Sequence, residues 1–357
     1  MVAKTYRNFS GNFFDLRNFF LLLNYQGSVK QDYFDNIANI DLSKAELLLD
    51  ESDMLSVIAI MLKKEFKINT VLKLKPEELI DQSKYLHDKF IFLIDFLFKN
   101  FNIETKELFK YQPIIKFLSA CITYFPKINL IEQEFIQKWF WNTLVFNRYP
   151  GAQNERIARD FKHLQNHSSN LNDAIIKMKN DNTRSFHSIE LSQPGSPVYF
   201  DAYYSAKNQQ LYRGLILLLK SRNAKDFYNG IKPSRGSFSN YELEEHHIFP
   251  DKSNIGKEIK IKYQNTNNED IINNIANIAL ITRETNNNRI NKKNPSVYIT
   301  EFEKEYTHFG KQAEFKTIML SQFINDSALA ALKNDDFETF IYERTKEIFL
   351  QVKILCD

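Results

Sequence analysis

The chain is short of the residues that break helices and of those that cross-link chains. Nine glycines and nine prolines in 357 residues favour long helices over a β-sandwich, which needs turn signals about every 8–12 residues. Two cysteines, Cys121 and Cys356, exclude a disulfide framework and any Cys-x-x-Cys zinc knuckle. Long apolar runs are missing too. Phe19 to Leu23 is brief, and "FIFLIDFLF", from Phe90, is short and carries Asp95, so neither spans a bilayer. The opening "MVAKTYRNFS" has no secretory pattern. The expectation is a cytoplasmic protein with no membrane partner. A formal net charge of +3 excludes a polycation, but the charge is uneven. Leu211 to Thr300 holds 14 Lys/Arg against 9 Asp/Glu, a net +5 that leaves −2 for the remainder. Affinity for a phosphate backbone is expected in that segment.

What is present favours helices. Phe (31) and Tyr (17) are abundant, and the chain is 43% hydrophobic and 25% charged, as in soluble globular proteins. The length suits two or three domains. In "YLHDKFIFLIDFLFKNF", Leu86, Phe90, Leu93, Leu97 and Phe101 recur at three- and four-residue steps, which predicts an amphipathic helix. "SDMLSVIAIMLKKEF" repeats the spacing after a capping Ser52. "QEFIQKWFWNTLVF" is a third such segment, with Trp139 and Trp141 expected in the core. Pro150 and Gly151 break this run, and a new helix is expected near Asn154. "SQPGSPVYF", Ser192 to Phe200, is the best domain boundary. A helix is then expected through "QLYRGLILLLKSR" to "AKDFYNG". "NIANIALIT" reads as a buried strand, and Asn294–Pro295 as a cap and first helical residue. Two helices are expected in the last 45 or so residues, the final one with a stripe at Phe337, Ile341, Ile348, Val352 and Leu355.

Within the basic segment, "YELEEHHIFP" sets His246 beside His247, two of only seven histidines, just before Pro250. The other five, His87, His163, His167, His187 and His308, are read as surface or satisfied residues. Neighbouring side chains on a strand point to opposite faces, so both histidines serve one site only if the strand ends here, as Pro250 suggests. An asparagine-rich stretch follows, with 11 asparagines from Asn265 to Asn294. Nucleotide bias accounts for most of them, so any singled out must be chosen by position.

The local order is strand, His246-His247-Ile248-Phe249-Pro250, loop, strand with Asn277, then a short helix with Asn286 to Asn288 and Arg289. It resembles the HNH endonucleases, the ββα-metal or His-Me finger family. Phosphodiester hydrolysis needs a base, a neutralised phosphate and a stabilised leaving oxygen. Neutral imidazole, with an unperturbed pKa of roughly 6.5, can take a proton from water near neutrality, and one divalent cation can hold phosphate and leaving oxygen. The resemblance implies that His247 is the general base and that His246 holds Mg or Mn together with Asn286, nine residues beyond Asn277, or with Asn287 in the alternative register. It implies that Asn277 belongs to the catalytic set, chiefly by fixing the loop that places the base. Arg289 falls where the family often carries a basic residue. Arg289, Lys292 and Lys252 are the candidate substrate contacts. Lys257, Lys260 and Lys262, on the expected loop, contact phosphate or are simply solvated. Glu244 and Glu245 either support an imidazole N–H or are solvated.

From about Tyr111 the segments "YQPIIKFLSACITYF", "KWFWNTLVFNRYPGAQNERIARDFKHL", "AKDF", "EEHHIFP", "NIANIALITRETNNNRI", "NPSVYI" and "DDFETFIYERTKEI" run in an order similar to the carboxy-terminal portion of GmrSD-type restriction proteins. These are modification-dependent, type IV bacterial enzymes. The implied fold is mainly α: a helical domain (1–195) for substrate positioning or partner docking, an embedded ββα-metal (HNH) domain (196–310), and C-terminal helices (311–357) packing on it. The implied function is metal-dependent cleavage or nicking of DNA in anti-phage defence. The alternatives are a catalytically silent nucleic-acid-binding module and a helical interaction subunit. The family usually carries a ParB-like nucleotide hydrolase with an Asp-Gly-Gln-Gln-Arg type motif. No such motif and no Gly-rich phosphate loop occurs here, so that domain is expected to be separate or missing.

Overall fold

The computed structural model describes residues 51–62, 81–103, 112–125, 127–145, 148–149, 153–166, 170–180, 209–233 and 242–356. It is mainly helical. The chain divides into two compact units, Met1–Thr183 and Arg184–Asp357. The stretch Ser192 to Phe200 lies outside the described residues. Residues 196–310 and 311–357 fall in one unit.

The first unit contains α1 (Glu51–Met61), α2 (Ser83–Phe101), α3 (Gln112–Tyr124), α4 (Leu130–Val145), α5 (Gln153–Asn166) and α6 (Leu171–Asn180). Leu86, Phe90, Leu93, Leu97 and Phe101 are all buried, and α2 packs on α1 and α3. Each such side chain contributes roughly 1.5–3 kcal/mol relative to exposure. Ser52 lies inside α1 rather than capping it. Trp139 and Trp141 are core residues, and the Trp139 indole stacks on Phe117 at 3.9 Å. A buried ion pair joins the residues after α4 to α5 and α6. Arg148 donates from Nε and Nη2 to both Asp160 oxygens, 2.7 Å each, and from Nη1 to the Met178 carbonyl, while Tyr149 Oη donates to Asp160.

The second unit contains α7 (Gln209–Ser221), β1 (Leu243–His247), α8 (Asn254–Tyr263), two 3-10 turns (Ile271–Asn273, Ile275–Asn277), β2 (Ile278–Thr282), a π-helical turn (Thr285–Ile290), α9 (Pro295–His308), α10 (Gln312–Ser321), α11 (Asp326–Lys333) and α12 (Phe337–Cys356). Strands β1 and β2 pair antiparallel, with Leu243 opposite Thr282 and His247 opposite Ile278. An isolated two-stranded ribbon is marginal in water. Here side chains complete the outer edge of β2. Gln322 accepts from the Leu280 amide and donates to the Leu280 and Lys225 carbonyls, and buried Asp226 accepts from the Thr282 amide at 2.7 Å. Asp226 also accepts from the hydroxyls of Thr282 and Thr285 and from the amides of Tyr228 and Asn229. It thus joins the turn after α7, the end of β2 and the π-helical turn.

Several sequence expectations change. Helix α7 stops at Ser221 instead of running to AKDFYNG, because Asn223 adopts a left-handed conformation (φ 55°). Residues 254–263 are helix, not loop. Ser253 caps α8 by accepting from the Gly256 amide, and Gly256 lies so close to Pro250 that a Cβ would sit 2.0 Å from its carbonyl oxygen. Only Ile278–Thr282 of the expected strand is extended, since Asn274 nucleates a 3-10 turn by accepting from Ala276 N. The chain end forms three helices, not two, with breaks at left-handed Phe323 and Asp335. Asn294 does precede Pro295 at the start of α9. The bonds to the first turn, however, come from Asp335, which accepts from the amide and hydroxyl of Ser296.

Candidate active site

Strand β1 ends at His247, one residue before the chain's amides leave the β2 register. Ile248 N donates to the Asn277 carbonyl (2.7 Å), Phe249 N donates to Asn277 Oδ1 (2.9 Å), and Pro250 has no N–H. Asn277 is fully buried and uses its remaining donor capacity on the Ile272 and Phe249 carbonyls, at 2.8 and 3.2 Å. Buried Tyr298 donates to the Ile248 carbonyl at 2.7 Å. The chain just past the histidine pair is therefore fixed on both sides. Asn277 does not line the cleft described next.

A cleft of about 300 Å³ opens beside this strand end. It is lined by Glu245, His246, His247, Pro250, Asp251, Lys252, Asn286, Asn287, Asn291 and Lys292. Residues some 40 positions apart in sequence thus face one space. Of the residues singled out from the sequence, His246, His247, Asn286, Asn287, Lys252 and Lys292 all contribute. Arg289 does not. Its guanidinium lies 4.2 Å from the Tyr228 ring centre, a cation–π contact at the surface. Among the other lysines, Lys260 pairs with Asp251 and Lys262 with Glu338.

The two histidines sit in different surroundings. His246 is buried, and its Nε2 has no hydrogen-bond partner among the described residues. Burial and then neighbouring His247 push its pKa down to about 3, with the Asn286 amide beside the ring pulling the other way. His247 is half-buried, and its Nε2 lies 3.0 Å from Asn273 Oδ1. Burial lowers its pKa as well; Asn273 and Asp251 oppose this and Lys260 adds to it. Asp251 is held below its ordinary value: burial would raise it, but bonded Lys260 outweighs that. Both imidazoles are therefore neutral near pH 7.

Asn286 donates from Nδ2 to Glu244 at 2.7 Å, which leaves its Oδ1 as the other amide atom at the site. Glu244 in turn pairs with Arg283. Glu245 is held by Tyr212 and Arg213, at 2.8 and 2.6 Å. The two glutamates thus brace Asn286 and β1. Among the described residues no three His, Cys, Asp or Glu side chains gather as a cation site. The donors here are an imidazole and side-chain amides.

Sequence reasoning passed over Asn273, Asp226, Gln322 and Arg344. Arg344 is wholly buried on α12, donating to the Ala276 carbonyl (2.7 Å) and the Gln322 carbonyl (2.9 Å). Burial lowers its pKa to about 9. It thus clamps the second 3-10 turn. "AKDF" and "YERTKEI" contained two of these residues, but nothing local marked them.

No family model matches the chain. Over 232 residues it is 27% identical to an uncharacterized protein of Methanocaldococcus jannaschii, a match covering 64% of this chain and 36% of that protein. The chain spans about a third of the length of that relative.

Proposed function

We propose that this chain is a metal-dependent HNH endonuclease that cuts or nicks DNA, serving as the nuclease part of a modification-dependent restriction system. The observation that carries the reading is the meeting of His246, His247 and Asn286 at one cleft flanked by Lys252 and Lys292. A buried imidazole nitrogen without a partner, next to an amide whose nitrogen is already engaged, suits a divalent cation such as Mg or Mn. His246 Nε2 and Asn286 Oδ1 would hold it, and Asn287 is the exposed alternative. When bound, such a cation supplies charge neutralisation at the scissile phosphate and the leaving oxygen. His247, neutral because it is buried, accepts the proton of the attacking water. Lys252 and Lys292 bind flanking phosphates. Asn277 keeps the base in place by fixing Ile248 and Phe249. Nucleotide use and sensing of a modified base are assigned to a ParB-like domain that is separate or missing, not to these residues.

The test is plasmid cleavage by the purified chain with Mg or Mn, and with EDTA. Cleavage that survives chelation would sink the metal reading. His247→Ala is expected to lose about 10²–10⁴-fold in rate with DNA binding retained. His246→Ala is expected to recover partly at high metal concentration. If both variants cut like the parent, the histidine pair is structural and the nuclease reading is wrong.

A further inference from the structure

Eleven asparagines crowd residues 265–294, and the fold gives one that no motif marks a direct hold on the base. Asn273 closes the first 3-10 turn, with its amide on the Asp270 carbonyl. Its neighbours are anchored in turn. Asn277 Nδ2 holds the Ile272 carbonyl, the Asn274 amide donates to the Ile271 carbonyl, and Arg344 holds the Ala276 carbonyl. Asn273 therefore stands on a rigid platform, half-buried, with Oδ1 3.0 Å from His247 Nε2.

An amide oxygen only accepts hydrogen bonds, so the nitrogen facing it must carry the ring proton. We propose that Asn273 is a positioning residue that locks His247 as the Nε2–H tautomer, which leaves the proton-accepting lone pair on Nδ1. This role rests on the nuclease reading. The charge on the partner matters as well as its geometry. Asn273 orients the ring as a carboxylate would, but without adding an anion beside the cleft where phosphate must enter.

The experiment uses the full chain with ¹⁵N-labelled histidine. The ring nitrogens are read by long-range ¹H–¹⁵N correlation at pH about 8, well above the imidazole pKa, and His247 is assigned by its loss in His247→Gln. The parent is expected to show protonated Nε2 and unprotonated Nδ1. Asn273→Ala is expected to give a tautomer mixture and a kcat about 10–100-fold lower with KM for plasmid nearly unchanged. Asn273→Asp, which keeps an acceptor at the same reach, is expected to restore the tautomer and most of kcat, with KM for plasmid raised by the added anion. A parent in the Nδ1–H form overturns the proposal, as does an Asn273→Ala protein with an unchanged tautomer or unchanged kcat. A parent that never cuts DNA with Mg or Mn sinks the nuclease reading and this role with it. A parent that cuts while the tautomer ignores Asn273 sinks the role alone.

Discussion

Replacing Asn277 by alanine should damage the second unit more than any other polar substitution near the cleft. The side chain is fully buried, with Oδ1 accepting from Phe249 N at 2.9 Å and Nδ2 donating to Ile272 O at 2.8 Å and Phe249 O at 3.2 Å. Alanine removes all three contacts where water has no access. Each stranded buried group costs about 1–3 kcal/mol. Counting the two short bonds fully and the long one little, the loss should be about 3–5 kcal/mol. With a urea slope of about 1–3 kcal/mol per molar, the unfolding midpoint should fall by 1 M or more. The measurement is urea unfolding followed by far-UV circular dichroism, because both tryptophans lie in the other unit. Hydrogen exchange at the Phe249 amide gives the local readout. Asn277→Asp should be no milder, since it keeps the acceptor but turns an anionic oxygen toward two carbonyls. A loss below about 1 kcal/mol, with Phe249 still protected, would show that the loop holds its shape without Asn277.

The buried histidines should make stability depend on pH. His246 titrates at about 3 when folded, against about 6.5 unfolded, so between these values the unfolded chain binds the extra proton. Its contribution is complete above pH about 6.5 and falls by about 1.4 kcal/mol per pH unit below that, or about 2 kcal/mol by pH 5. His247 acts in the same direction. His246→Asn should flatten the pH 7 to 5 slope of melting temperature, and equal slopes in parent and variant would contradict the assignment. Trp139→Ala should cost about 3–5 kcal/mol, because the indole is buried against Phe117; an unchanged melting temperature would place Trp139 outside the core. Lys252→Ala and Lys292→Ala should each weaken DNA binding across sequences and reduce the salt slope by about one; an unaltered slope would remove that lysine from the phosphate contacts.

Helix identity and the histidine pair were legible from sequence because both depend on near neighbours. The steps from Leu86 to Phe101 place five side chains on one face of any helix, and the structure buries that face. Pro295 fixes its own φ for a first turn wherever the chain lies. The ending of β1 at His247 was also foreseeable, since Pro250 cannot extend a ladder.

The asparagines were not legible in the same way. Asn273, Asn277 and Asn286 are chemically identical and sit in similar company, yet one faces an imidazole, one fills a loop and one is held by Glu244. Each partner lies 26 to 42 residues away in the chain for these three contacts, so spacing under the family resemblance singled out Asn277 and Asn286, while nothing in the chain around Asn273 marked its partner. The same holds for Asp226, Gln322 and Arg344, whose polar atoms answer amides and carbonyls left open on distant turns and on the edge of β2. An unpaired backbone group in a dry interior is costly. Which side chain relieves it is settled only when the elements pack together. The sequence by itself determined which residue types and helical faces were available. Tertiary structure decided which asparagine met which partner, because that depends on distances that exist only once the chain has closed on itself.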